Sequence, residues 1–209
     1  MPDRPSGSSY NRRQKEAILV IRDHLTRLPG PEKRLLRKSL VPYLEFRSET
    51  ASFQDEHLSA ACTLKCFHDG TSACCGREGI LTFFADVVIN VLLSTDDEVE
   101  ALLSLLSQDR GGPNCVYLGE GGCAWNLKPV TCEMFLCNHA KKEILNRDIS
   151  LGRRWEELRK REKSYTFPDR PVLFDGLEKL FLDAGIEDPM MYCHKSPGLL
   201  LLKKKHGVG

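Results

Sequence analysis

CTLKCFHDGTSACCGREG, residues 62–79, and CVYLGEGGCAWNLKPVTCEMFLC, residues 115–137, hold eight of the chain's nine cysteines. The spacing is Cys62-x3-Cys66-x7-Cys74-Cys75, then Cys115-x7-Cys123-x8-Cys132-x4-Cys137. Across this window cysteine reaches about 10% of residues, the density of a disulfide or metal scaffold. The first twenty residues (MPDRPSGSSYNRRQKEAILV) are basic and polar and lack a signal-type apolar stretch, so a cytoplasmic location is expected. A reducing compartment does not maintain disulfides, so the cysteine cluster reads as metal-binding or redox chemistry.

Charge separates those two readings. Residues 62–137 carry four Lys/Arg (Lys65, Arg77, Arg110 and Lys128) against ten Asp/Glu, while the flanks are basic and the whole chain is +1. A reactive thiolate needs a cationic setting to lower its pKa, and this segment has none. Several thiolates in an acidic segment repel one another unless a cation sits among them, which favours metal. All-thiolate donors suit zinc or an iron–sulfur cluster, each taking four thiolates. Eight cysteines permit two such sites, or one site with four supporting thiols. The paired CxxC of a zinc ribbon is missing, as is the CxxxCxxC spacing of radical S-adenosylmethionine enzymes. Gly76, Gly121 and Gly122 let backbone N–H groups turn toward sulfur.

The pattern resembles a known family. Cys62, Cys66 and Cys74-Cys75, then Cys115-Val-Tyr-Leu, Gly122-Cys123-Ala-Trp, Lys128-Pro129-Val-Thr-Cys132 and Phe135, are similar to the zinc- or iron-chelating CxxCxxCC (YkgJ-like) proteins. The resemblance covers residues 62–137. The chain departs from it in the stretched x3 and x7 gaps, in Lys128 where Arg is usual, and in the additional Cys137. The stretched gaps leave open which of Cys74 and Cys75 is a ligand. The resemblance implies metal binding, by zinc or by an iron–sulfur cluster. A relative, the flagellin lysine N-methylase, has a similar cysteine pattern and a [4Fe–4S] cluster, and methylase activity follows from it only by fold-level analogy.

Outward from the cysteines the chain reads as mostly α, an irregular metal-binding centre wrapped by helices with at most a short hairpin. Residues 1–9 read as a disordered tail, 10–61 as N-terminal helices, 62–137 as the cysteine region and 138–209 as C-terminal helices, packed as one domain. Ile18, Ile21, Leu25 and Leu28 form an apolar stripe on a first helix that Pro29-Gly30-Pro31 stops. Leu36, Leu40 and Leu44 follow on a second, which Pro42 kinks or ends. A short helix over 48–61 leads into the cysteines, and 62–79 reads as a loop. The apolar run Ile80–Leu93, interrupted by Thr82, Asp86 and Asn90, reads as a buried helix too short to span a membrane. Thr95-Asp96-Asp97-Glu98 is a capping box ahead of Val99, Leu102, Leu103 and Leu106. A hairpin turns at Glu120-Gly121-Gly122, and one long helix is expected from Cys132 to Lys163, with Glu156/Lys160 and Glu157/Arg161 pairs on a solvated face. Pro171 opens a last helix with Leu173, Leu177, Leu180 and Phe181 inward and Gly185 at its end. The tail from Gly198 is expected to add a strand.

His68 and His139 are expected in solvent, with ligation to metal the competing reading. Trp125 and Phe135 are expected to pack over the cluster or core, and Lys128-Pro129 to form a rigid turn presenting Cys132, with Lys128 offsetting thiolate charge. Cys193 stands outside the cluster as an ordinary thiol. The basic stretch 141–163 reads as a solvated face, and near-zero net charge argues against nucleic acid and membrane as partners. No G-x-G-x-x-G, P-loop, nucleophile elbow or HExxH occurs, so enzymatic activity is left undecided. The expected function is thiolate-ligated metal binding, an iron–sulfur cluster first, in redox or enzyme-supporting service. A zinc-stabilised protein-interaction module and a methylase-like enzyme are the alternatives. Cys62, Cys66, Cys75 and Cys132 are the first ligand choice, because a set joining the two segments ties the fold together, and Cys74, Cys115, Cys123 and Cys137 are the second.

Overall fold

A computed structural model describes residues 7–68, 70, 72, 74–76, 81–108, 113–166, 172–192, 200–201, 204–205 and 207. It is mostly helical, with one two-stranded sheet among the described residues. The helices are α1 (Gly7–Arg27), α2 (Gly30–Ser39), α3 (Val41–His57), α4 (Ser59–Ala61), α5 (Phe84–Leu93), α6 (Asp96–Leu106), α7 (Val130–Glu133), α8 (Asn138–Ala140), α9 (Ile149–Thr166) and α10 (Leu173–Asp183). Strands β1 (Leu118–Gly119) and β2 (Gly122–Cys123) form the antiparallel hairpin. No described helix is long and apolar enough to cross a membrane.

The apolar run forms the central helix. Phe84 to Asn90 are all buried, because α1, α10 and the segment after β2 cover α5 on different sides. α1 lays Ala17, Ile18, Ile21 and Leu25 on α5 and α6. α10 contributes Phe174, Leu177, Phe181 and Leu182, with Phe181 edge-on to Phe84 at 5.0 Å between centroids. α3 packs on α9, where Phe53 stacks on Trp155 at 5.6 Å.

Local signals account for most helix ends. Thr95 caps α6: its Oγ1 accepts the Glu98 N–H while Glu98 accepts the Thr95 N–H at 2.7 Å. The four apolar residues that follow are all buried. Pro42 lies in the first turn of α3, where it needs no backbone donor, so it begins a helix rather than kinking one. Leu40, between α2 and α3, is fully buried. Gly185, at φ +72°, ends α10 through Gly185 N–H to Leu182 C=O and Ile186 N–H to Phe181 C=O.

Several expectations need correction. α1 begins at Gly7, so residues 7–9, expected within a disordered tail, are helical, and residues 1–6 lie outside the described set. The single helix expected over 132–163 is broken into α7, α8, a π-helical turn at Lys141–Leu145, and α9. Cys137 is extended and its sulfur accepts the Ala140 N–H, which starts α8 afresh. Asp148 then accepts the Ser150 N–H at 2.8 Å and starts α9. Glu156 pairs with Arg159, and Arg161 reaches across to Glu49 of α3. The loop expected from Cys62 begins instead as a π-helical turn, Cys62–Phe67. Pro171 and Cys193 lie outside the described residues, as does most of the tail expected as a strand, where Leu200, Leu201, Lys204 and Lys205 are helical.

Thr95→Ala removes half of the reciprocal cap and leaves the buried face of α6 intact. It is expected to cost about 1 kcal/mol in urea unfolding with an unchanged denaturant slope.

Candidate metal centre

Two buried polar side chains on α5 hold the second cysteine segment. Asp86 accepts the Val130 N–H at 3.0 Å with one oxygen and the Phe83 N–H at 3.1 Å with the other. One turn on, Asn90 accepts the Leu127 N–H at 3.0 Å and donates to the Leu127 carbonyl. An i, i+4 pair on one helix face thus grips the chain at both ends of Leu127–Val130. From the other side Arg47 of α3 donates to the Lys128 carbonyl at 2.6 Å and to the Tyr43 hydroxyl at 2.8 Å. The carboxylate of buried Glu133 lies 3.7 Å from both Arg47 and Lys128. Pro129, extended at ψ 139°, opens α7 and so presents Cys132 as expected of a rigid turn. In the sequence Asp86 and Asn90 read as interruptions of the apolar run. Their spacing of four in an otherwise apolar helix was the available signal for a buried polar clamp.

The two cysteine segments are stitched together through their backbones. The Cys115 N–H donates to the Cys75 carbonyl at 2.7 Å, and Gly76 bridges Asn114. In the first segment Cys62 and Cys66 lie four residues apart on the π-helical turn. Ser72, buried at φ +38°, donates to the Cys66 carbonyl and accepts the Cys75 N–H, which folds Cys74 and Cys75 back toward that turn. In the second, β1 pairs Leu118 with Cys123, returning Cys123 to the turn that starts at Cys115. Tyr117 anchors this turn to α1 through its hydroxyl, which donates to Gln14 at 3.0 Å.

Backbone N–H groups act on three of the sulfurs: those of Tyr117 and Leu118 pull the Cys115 thiol down, that of Trp125 pulls Cys123 down, and Cys137 Sγ accepts the Ala140 N–H at 3.4 Å. Such bonds stabilise thiolate and tune any metal it holds.

The thiols sense one another throughout. Burial raises Cys62, and the fields of Cys74, Cys137 and Cys66 raise it further. Burial pushes Cys115 up to about 11, with Cys123 adding to the shift. Cys132 is an exposed residue whose desolvated thiol rises to about 12, raised further by Cys115, Cys123, Asp86 and Cys74. Within the vicinal pair, a proton shared between the two thiols lowers Cys74 and raises Cys75. Lys128 lowers Cys62, Cys74 and Cys123, which is the charge-offsetting part expected of it.

These eight cysteines are free thiols. They are not drawn tightly around a point: among the described residues, no three His, Cys, Asp or Glu side chains form a group able to hold a metal ion. His68 and His139 are exposed. Trp125 is 4% exposed and packs edge-on to Tyr117. Phe135, expected over the cluster, is 52% exposed, because Leu136 takes the inward position after α7. The nine basic residues from Lys141 to Lys163 are all exposed.

No protein-family description, curated protein or solved structure matches the chain.

Burial pushes Asp86 up to about 6, against the pull of the Val130 N–H, Arg47 and the Phe83 N–H. Its folded pKa exceeds the unfolded value, so its contribution to stability is full below about pH 4 and is lost as pH rises through about 6. Asp86→Asn is therefore expected to become more stable relative to wild type as pH rises from 4 to 6, with the difference constant above 7. Urea unfolding across that range measures it. A pH-independent difference contradicts the assignment.

Proposed function

We propose that this chain binds thiolate-ligated metal, an iron–sulfur cluster first, with the eight cysteines from Cys62 to Cys137 as its donors. The observation that carries the reading is the stitching of the two cysteine segments, Cys115 N–H to Cys75 C=O, among eight free thiols. The donor set fits. Soft sulfur ligands suit a cluster or zinc, and the Ala140 N–H already points at Cys137. The resemblance to the zinc- or iron-chelating CxxCxxCC proteins supports the same reading.

When bound, a cluster supplies one-electron redox chemistry or a rigid structural core. The chain's own residues do the rest. Lys128 offsets negative charge at three of the cysteines, and its ammonium is held near Glu133. Asp86 and Asn90 fix the backbone that positions Cys132, and Trp125 and Tyr117 cover the hairpin side with apolar surface. Redox or enzyme-supporting service belongs to this proposal, as does a cytoplasmic setting.

The test is iron, zinc and acid-labile sulfide content of protein purified without oxygen. Iron and sulfide in equal amounts, near four of each per cluster, with broad absorption near 400 nm, are expected. Zinc without sulfide moves the reading to the zinc-stabilised interaction module. Absence of both, with all eight thiols titratable in the folded protein, overturns metal binding.

A further inference from the structure

An open cleft of about 630 Å³ lies between the π-helical turn at Lys141–Leu145 and the first part of α9. That volume falls within the roughly 300–1,000 Å³ of small-ligand sites. Helical turns closed by i to i+5 bonds recur at functional sites, and this one forms a wall of the cleft. Gly152 lets the turn and α9 meet, since a Cβ there would stand 3.1 Å from the Leu145 carbonyl oxygen. Leu145 and Trp155 are buried and give the cleft an apolar floor, and Ile149, 72% exposed, carries the apolar surface to the rim.

We propose that this cleft binds a small aromatic phosphate of mononucleotide size. On α9, Ile149, Arg153, Glu156 and Lys160 follow at steps of four, three and four, so they share one helix face. Lys141 joins them from the turn. The other arginines of this basic stretch are occupied: Arg147 by Glu143, Arg154 over the Phe53 ring, Arg159 by Glu156 and Arg161 by Glu49. Lys141, Arg153 and Lys160 make no ion pair with any described residue, and neither does Glu157, the other carboxylate of the lining. The cleft thus presents three uncommitted cations against one carboxylate among the described residues. A phosphoryl group brings close to two negative charges and three acceptor oxygens, which an arginine fork and an ammonium can share, whereas a carboxylate brings one charge and two oxygens. The apolar floor accommodates the ring. No cysteine lines the cleft, so the inference stands apart from the metal-binding reading.

The test is calorimetric titration of the full chain with adenosine monophosphate, adenosine and inorganic phosphate, in buffer without divalent cations. One saturable site for the monophosphate is expected, with adenosine and inorganic phosphate each weaker by about tenfold or more. Lys141→Gln with Arg153→Gln should weaken the monophosphate about tenfold. Lys33→Gln with Arg34→Gln removes the same charge from α2, outside the cleft, and should leave the affinity unchanged. Failure of the monophosphate to saturate overturns the proposal, as does equal affinity for adenosine or for inorganic phosphate. Equal weakening by the two variant pairs also overturns it, because the attraction would then belong to the whole surface.

Discussion

The fold depends on a polar clamp inside an apolar helix. α5 is buried on nearly every side, yet it spends two of its inward positions on Asp86 and Asn90, which hold the backbone of Leu127 and Val130. A carboxylate and an amide buried this deeply are costly unless every bond is made, and the partners here are main-chain groups that would otherwise be unpaired. The arrangement fixes an irregular, glycine-rich segment against the core without regular sheet or long helix. It also sets where Cys132 stands. Arg47 repeats the same logic from α3, donating to the Lys128 carbonyl and lying near Glu133 of α7, so the second cysteine segment is held between two helices by polar contacts on both sides.

The first cysteine segment is secured differently. It has few apolar anchors, and its position follows from the π-helical turn after α4, the left-handed Ser72, and the hydrogen bond from Cys115 to Cys75. Contacts so sparse in buried surface stabilise little by themselves. Thiolates in an acidic stretch would also repel, with Lys128 the cation acting on several of them. On the proposed reading, a bound metal supplies both charge compensation and a cross-link between stretches about forty residues apart. On this account the helical shell forms the scaffold and the bound metal completes the centre.

Much of the shell was legible in the sequence. The stripe of α1, the Thr95–Glu98 box and the apolar face of α6 are periodic and local, so they survive in the fold. The turn at Glu120-Gly121 gave the hairpin for the same reason. What escaped were two local restarts of the chain and features set by tertiary partners. The stretch 132–163 reads as one helix by composition, but Cys137 and Asp148 accept backbone N–H groups and restart the chain twice. The i, i+4 charge pairs of α9 were sound as propensity, and were overridden where Arg161 found Glu49 on a neighbouring helix. At the centre, the eight cysteines were legible as a group. Their grouping in space was not, since it depends on where the Ser72 turn and the hairpin direct each sulfur.

X-ray absorption at the edge of whatever metal accompanies the purified protein tests the central claim most directly. The account predicts a first shell of sulfur alone, near 2.3 Å for zinc or for a cluster, with a metal–metal scattering path in the cluster case. A first shell of nitrogen and oxygen, with all eight cysteines open to alkylation, would contradict it.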